Sequence, residues 1–379
     1  MATNIGKVLS GVTKAIMEIF PGKREKSSSF SKIGVATKKA ILSGCIFILL
    51  FTFFSIVAPD TFPKMENIVN LSQQVVTYAI IGFGLTFCLV CGGTDLSAGA
   101  SGALCGMVLL LMIQIGAPLW LGIIACLVIG LLTGILNGFS IEILGVVPFI
   151  ATLGTQWVYR GLANVLPPLG GYVEGNPVYT KEAFARYGVT QLVNGAEKVV
   201  NPVKDLFYQF GGGRITDVFP KFPLPLPWSV FVMIAYGIIL TIVLAKSRMG
   251  RQVYACGSNL EAAKLSGINV VGTRMFAYCV SGLSAAVCGV LVTSRLSSAQ
   301  PVALTGIELE AIAAAVLGGV SNNGGEGTVI NAFIGAVVIG TLRNGLTMIK
   351  ISTFWQTIIV GVILVTACAA DAYRHRRTT

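Results

Sequence analysis

The chain has 379 residues, of which 54% are hydrophobic and 11% charged, with a net charge of +11, whereas a soluble domain is charged at roughly a quarter of its positions. This composition excludes an ordinary water-soluble protein and predicts an integral membrane protein, all-α and polytopic. The single histidine, His375, excludes a His-based triad or a multi-histidine metal site within the chain, and the lack of a G-x-x-x-x-G-K-[ST] run excludes a P-loop ATPase.

Residues 1–39 form the first unit. Ile5, Val8, Leu9, Val12, Ile16, Ile19 and Phe20 recur at spacings of three and four, with Lys7 and Lys14 among the polar positions. The pattern predicts an amphipathic helix too polar to cross a bilayer, lying on the membrane surface or against the protein's own inner face, followed by the linker PGKREKSSSFSK. It is not a secretory signal, because basic, apolar and cleavage regions do not follow in order.

Apolar runs near 40–58, 68–91, 96–115, 119–141, 146–166, 228–245, 273–294, 305–320, 327–349 and 353–370 predict about ten crossings over a domain spanning 40–371, since a spanning helix needs about twenty apolar residues. The run 305–320 is short for a straight crossing, and glycines around 92–102 and 318–327 mark broken or re-entrant segments. Such breaks survive in a bilayer only against protein or a wet cavity.

The first break reads GGTDLSAG, placing Asp95 with Thr94 and Ser97 between apolar helices. A buried aspartate must be paired, hydrated or used as a cap, so Asp95 either closes a helix end or lines a polar path. Cys88 and Cys91 form a C-x-x-C at the end of an apolar helix, where small apolar packing competes with a redox or metal role. In GVVPFIATLGTQWVYR (145–160), Pro148 falls in a first helical turn and Thr152, Thr155 and Gln156 share one face. That polar stripe bonds neighbouring helices or lines a hydrated passage.

Residues 167–227 leave the hydrophobic pattern for PPLGG, NGAEK, GGG and PKFPLPLPW. This excursion is too long for a plain connector and is expected to be partly ordered. A second polar island, Gly250 to Val270, interrupts the later runs. Asn259 can cap a helix of about two turns over Leu260 to Ser266, ended by Gly267 in the left-handed conformation. Glu261 and Lys264 suit the helix dipole, and Ala262 and Ala263 leave a smooth side, fit either for a partner's groove or for covering helix ends. Downstream lie IELEAI (307–312), LGGVSNNGGEGT (317–328), Asn344 to Leu346 and Phe354 to Gln356. The GG-polar-Gly pattern before an apolar helix at 90–103 returns loosely at 316–336, a hint of internal repetition. Glu308, Glu310, Glu326 and Arg343 are charged groups near or in the membrane, expected to pair.

Charge sets the orientation. Residues 1–39, 246–274 and the tail after Asp371 hold sixteen of the 27 cations with four acids, whereas 59–67 and 167–227 balance seven cations with seven acids. By the positive-inside rule both termini, the 247–272 loop and the basic tail 372–379 are cytoplasmic. Trp120, Trp228 and Trp355 then begin inward-going helices at the outer interface. The positive charge is a topology signal, and nucleic-acid binding is not needed to explain it.

The island resembles the cytoplasmic coupling loop of ABC sugar-import permeases of the ribose and galactose type, close to GR-x-x-x-A-x-G-x-N-x-x-A-A-x-x-S-G-I. Gly250, Arg251, Ala255, Gly257, Asn259, Ala262, Ala263, Ser266, Gly267 and Ile268 fall on it. GGTDLSAG is similar to the family's G-x-D-L-S-x-G, PFIATLGT to its P-F-I-x-T-L-G-T, and residues 318–328 to its G-G-x-S-x-x-G-G-x-G-T, so the resemblance covers roughly 65–371. Departures are Ser258 where a second glycine is common, the long N-terminus, and Arg343 before Asn344.

The resemblance implies a permease subunit that is not itself an enzyme and binds no cofactor, in a bacterial cytoplasmic (inner) membrane. It implies two permease copies lining a central path and a partner ABC ATPase consuming ATP. That ATPase would engage Gly250, Arg251, Asn259, Glu261, Ala262, Ala263, Ser266 and Gly267, and a periplasmic or surface sugar-binding protein would deliver cargo to the outer face. Asp95, Ser97, Phe149, Thr152, Thr155, Gln156 and Asn344 are the path candidates. The competing class is an ion- or proton-driven carrier, for which broken glycine-rich helices are also apt and Asp95 or the Glu308/Glu310 pair would serve the coupling ion. An intramembrane enzyme finds no nucleophile-and-base arrangement.

Overall fold

A long apolar run can satisfy its backbone inside a bilayer only by coiling on itself, and each run in this chain becomes a helix. The computed structural model describes residues 35–166, 178–179, 189–193, 196–200, 202–220 and 224–378, with side chains described over 41–166, 204–220 and 224–369. The amphipathic segment expected over 5–20, its linker and the first part of the 167–227 excursion lie outside the described residues.

In chain order the helices are α1 (Val35–Val57), α2 (Met65–Val90), α3 (Ala98–Gln114), α4 (Leu119–Glu142) and α5 (Pro148–Val165). After the excursion come α6 (Pro202–Gly211), α7 (Ile215–Val218), α8 (Trp228–Lys246), α9 (Arg248–Ser258), α10 (Leu260–Leu265), α11 (Val270–Leu296), α12 (Ile307–Gly318), α13 (Val329–Met348) and α14 (Thr353–Thr378). Five of them (α2, α4, α8, α11 and α13) are long and apolar enough to cross a membrane, and Ile41–Val57, Ala98–Gln114 and Thr353–Ala369 are shorter apolar helices. Among the described residues, length and composition thus support five crossings and do not confirm ten. At 12 residues, α12 spans about 18 Å, well short of a hydrocarbon core.

The helices end where the chain chemistry requires. Pro118 and Pro227 precede α4 and α8, and Pro148 opens α5, where the missing amide costs nothing. The island folds as two helices, since α9 occupies the stretch ahead of the expected one. That stretch carries few apolar residues, and its helix follows from the Ser247 hydroxyl, which accepts from the Gly250 amide at 2.9 Å, and from an apolar side built on Val253 and Cys256.

α2 occupies the centre, with 89% of its spanning window buried against 28% for α4 and 33% for α8. α11 lies beside it, packed against α4, α2 and α3. The apolar residues left exposed on α4, α5, α8 and α14, among them Leu136, Trp157, Ile238 and Val365, belong to outward faces. Two short antiparallel ladders depart from the all-α expectation: β1 (Val178–Tyr179) pairs with β4 (Ser298–Ala299), and β2 (Val189–Val193) with β3 (Ala196–Val200). Both draw on the excursion, whose β-branched residues and Asn194-Gly195 dipeptide favour a hairpin over a helix.

Both breaks are held by protein. Gly92 has φ 80° after α2, and Gly319, Gly324, Gly325 and Gly327 take positive φ between α12 and α13. The Gly325 amide donates to the Val90 carbonyl at 2.8 Å, joining the two breaks at one end of the bundle. At the opposite end Asn67 and Asn344 exchange amide hydrogen bonds of 2.8 and 3.0 Å.

Glycine permits the closest helix contact. A Cβ on Gly282 of α11 would lie 2.0 Å from the Gly130 carbonyl oxygen of α4, whereas nothing stands within 4 Å of one on Gly361. Gly282→Val is accordingly expected to destabilise the protein by about 1–3 kcal/mol, lowering its thermal unfolding midpoint in detergent while Gly361→Ala leaves it unchanged.

Candidate functional site

The carboxylate of Asp95 lies in the break between α2 and α3, 1% exposed. Its Oδ1 accepts from the Ser97 amide (2.9 Å), the Ser97 hydroxyl (2.7 Å) and Asn137 Nδ2 (3.3 Å), and its Oδ2 accepts from the Ser281 hydroxyl at 2.6 Å. Ser97 is the N-cap of α3 yet makes no side-chain cap bond, because its hydroxyl is committed to Asp95. The aspartate thus acts as a turn acceptor that gathers α3, α4 and α11.

The network extends into α5. Thr155 donates to Asn137 Oδ1 at 2.6 Å, and the Tyr159 hydroxyl lies 3.3 Å from the same oxygen and 3.0 Å from the Thr133 carbonyl. Ser101 and Thr133 share a bond of 2.7 Å one turn further along. Next to Thr155, Gln156 Nε2 donates at 2.9 Å to Oε1 of Glu308, which is 4% exposed in the first turn of α12. Arg160, one turn beyond, donates to the Pro301 and Ala303 carbonyls. α5 therefore contacts both acidic groups, Asp95 through Asn137 and Glu308 directly.

Among the path candidates, the fold brings Asp95, Ser97, Thr155 and Gln156 together. Thr152 is fully buried beside them but spends its hydroxyl on the Pro148 carbonyl of its own helix, 2.9 Å away. Phe149 is 56% exposed on the outward face of α5, and Asn344 belongs to the separate pair with Asn67. Sequence reasoning passed over Asn137, Tyr159, Ser281 and Arg160, and gave Glu308 a pairing role or, in an ion-driven carrier, a share in the coupling-ion site, without placing it beside Gln156. An asparagine inside LLTGILNGFS was the legible signal for Asn137; no signal distinguished Ser281 from other serines in an apolar helix.

The second cluster is α9–α10. Asn259 Oδ1 accepts from the Ala262 amide at 2.9 Å, as the capping pattern predicts, and Gly267 follows at φ 76°. The amides of Gly267 and Ile268 return to the Lys264 and Ala263 carbonyls at 3.0 and 3.1 Å, closing the helix end. Glu261, Ala262, Ser266 and Gly267 face outward with Arg251, whereas Ala263 is 3% exposed and packs inward. The two alanines therefore do not form one smooth outer side; Leu265, 90% exposed, is the apolar group presented beside Ala262. Glu261 and Lys264 pair at 3.2 Å on the surface, a contact of little energetic weight.

α9 seats this cluster on the helix ends. A Cβ on Gly257 would lie 1.7 Å from the Val90 carbonyl oxygen, and one on Gly250 would lie 2.1 Å from that of Leu244, so both glycines serve packing. The Tyr254 hydroxyl donates to the Gly327 carbonyl at 2.6 Å, and burial pushes its pKa above the ordinary tyrosine value.

The donors around Asp95 define an expected mutational order. Asp95→Ala leaves the Ser97 amide, the Ser97 hydroxyl and the Ser281 hydroxyl without their acceptor, each at a cost of about 1–3 kcal/mol when buried, whereas Asp95→Asn keeps one acceptor oxygen. Thermal unfolding in detergent is expected to rank wild type above Asp95→Asn and Asp95→Ala lowest.

The ribose import permease protein RbsC of Haemophilus influenzae is 37% identical over 326 residues, 86% of this chain and 91% of that protein. RbsC of Bacillus subtilis is 38% identical over 323 residues, 85% and 89% of the two chains. The xylose transport system permease protein XylH of Escherichia coli K12 is 31% identical over 384 aligned residues, 93% and 96%. No solved structure matches. Residues 67–368 match the family described as branched-chain amino acid transport system / permease component, and the chain belongs to that family of multi-pass transport permeases.

Proposed function

We propose that this chain is the membrane-spanning subunit of an ATP-driven importer of a monosaccharide. The observation that carries the reading is α10: a self-capped helix at the end of the bundle, presenting Ala262 and the 90%-exposed Leu265 to a partner. The permeases it resembles are named for ribose, allose and xylose, which supports a monosaccharide as the cargo. The basic regions 1–39, 246–274 and the tail support a cytoplasmic side for α10 and both termini.

Two copies would line the path, with Asp95, Ser97, Thr155 and Gln156 near it, and a separate ATPase would hydrolyse ATP with no cofactor held by this chain. An outer sugar-binding protein would deliver the cargo. Closure of the ATPases would displace α10, and the membrane helices would exchange outward-open and inward-open arrangements. Such a change is driven only by contacts that differ between the two states. The path need not bind sugar tightly, since a strong site midway would retain the cargo. Hydroxyl and amide groups held in a bonded network suit weak, exchangeable contact with a polyol.

Leu265→Asp places a charge on the partner face without disturbing packing, because the side chain is almost fully exposed. Purification from the native membrane in mild detergent is expected to recover an ATPase with the wild-type chain and to lose it with Leu265→Asp at unchanged thermal stability. Recovery of no ATPase with the wild type, together with sugar uptake abolished by an uncoupler while ATP remains, would replace this reading with an ion-driven carrier.

A further inference from the structure

Arg274, in the second turn of α11, meets Glu142, the last residue of α4, at 2.9 Å. The side chains are only 17% and 6% exposed, and the guanidinium approaches Glu142 Oε1 off the line of a hydrogen bond, so the contact is chiefly one of charge on charge. An arginine does not discharge in a protein, so parting it from Glu142 would leave a charge largely removed from water without its partner.

The pair lies between α10 and the Asp95 network. Four residues separate α10 from α11, and they are held tightly. Ala263 is packed inward, the Ile268 amide returns to the Ala263 carbonyl, and Asn269 accepts from the Gly272 amide at 2.9 Å to cap α11. Beyond the pair, α11 runs against α4 with no room for a side chain: a Cβ on Gly138 would meet Met275 at 3.0 Å, and one on Gly134 the Tyr278 carbonyl oxygen at 2.4 Å. Arg274 and Ser281 are seven residues apart, two helical turns on one stripe. That stripe sets one side chain on Glu142 and the other on Asp95. From α4, Asn137 reaches the same aspartate.

We propose that Glu142 and Arg274 are positioning residues of transport, clamping α4 to α11 so that displacement of α10 moves Asn137 and Ser281 together against Asp95. The proposal rests on the importer reading above. Without the clamp, α11 alone follows α10, α4 lags, and the two donors part around the carboxylate. ATP hydrolysis then continues while less sugar crosses per ATP.

The test uses the complete importer, with its ATPase and binding protein, in proteoliposomes, measuring sugar uptake and sugar-stimulated ATP hydrolysis side by side. Glu142→Gln and Arg274→Gln are expected to keep the ATPase bound but lower sugar moved per ATP about fivefold or more, a typical size for coupling between sites. The exchange Glu142→Arg with Arg274→Glu is expected to recover most of that ratio. Single variants that hydrolyse and transport at the wild-type ratio overturn the proposal. If the single variants fail to assemble, the exchange decides: an assembled importer with a ratio near wild type supports the clamp, and one with a depressed ratio, or no assembly, overturns it. A wild-type assembly without sugar-stimulated hydrolysis removes the importer reading and the clamp with it, a result distinct from a working wild type matched by its variants.

Discussion

A carboxylate buried among apolar helices must be surrounded by donors or it does not stay there, and much of this molecule is arranged around meeting that demand at Asp95. Four hydrogen bonds reach it, from Ser97 before α3, Asn137 on α4 and Ser281 on α11. Among the described residues no lysine or arginine pairs with it, so the donors are hydroxyls, an amide and the backbone. Such a set can be rearranged without stranding a full positive charge. The same feature that stabilises the break between α2 and α3 thus leaves it adjustable.

Those donors can converge only because the helices carrying them lie unusually close. Gly130 and Gly134 on α4 meet α11 at distances where any side chain would collide, and Gly138 lies tightly against Met275; close backbone approach is a principal source of helix association in a bilayer, where apolar side chains gain nothing by leaving lipid. The same device recurs between α12 and α13, where a Cβ on Gly335 would lie 1.7 Å from the Ala314 carbonyl oxygen. Glycine has two roles in this chain. In the two breaks it supplies positive φ, as at Gly92 and Gly325, and within helices it supplies the absence of a side chain.

At the α9–α10 end, burial divides the work between neighbouring residues. Ala263 anchors the short helix to the membrane domain while Ala262 and Leu265 face out. α9 contributes through Gly257 on Val90 and Tyr254 on Gly327, which ties the outer cluster to both glycine breaks. The exposed helix and the polar network are therefore joined by contacts through α11 and, by way of Glu142 and Arg274, through α4.

Much of this architecture was legible in the residues alone. Run lengths located nearly every long helix, because an apolar stretch in a bilayer has no other way to satisfy its backbone. Asn259 and Gly267 announced the ends of α10, because capping depends on neighbours a few residues away. The small ladders of the excursion and helix α9 escaped notice, since neither carries an apolar run of membrane length. Tertiary packing alone decided that Asn137 and Ser281 face Asp95, that Asn344 turns to Asn67 instead, that Ala263 points inward, and that Glu142 meets Arg274. Local pattern records what a segment can become with its near neighbours; which side chains 42 or 186 residues apart share one carboxylate is settled only by how the helices rotate and approach.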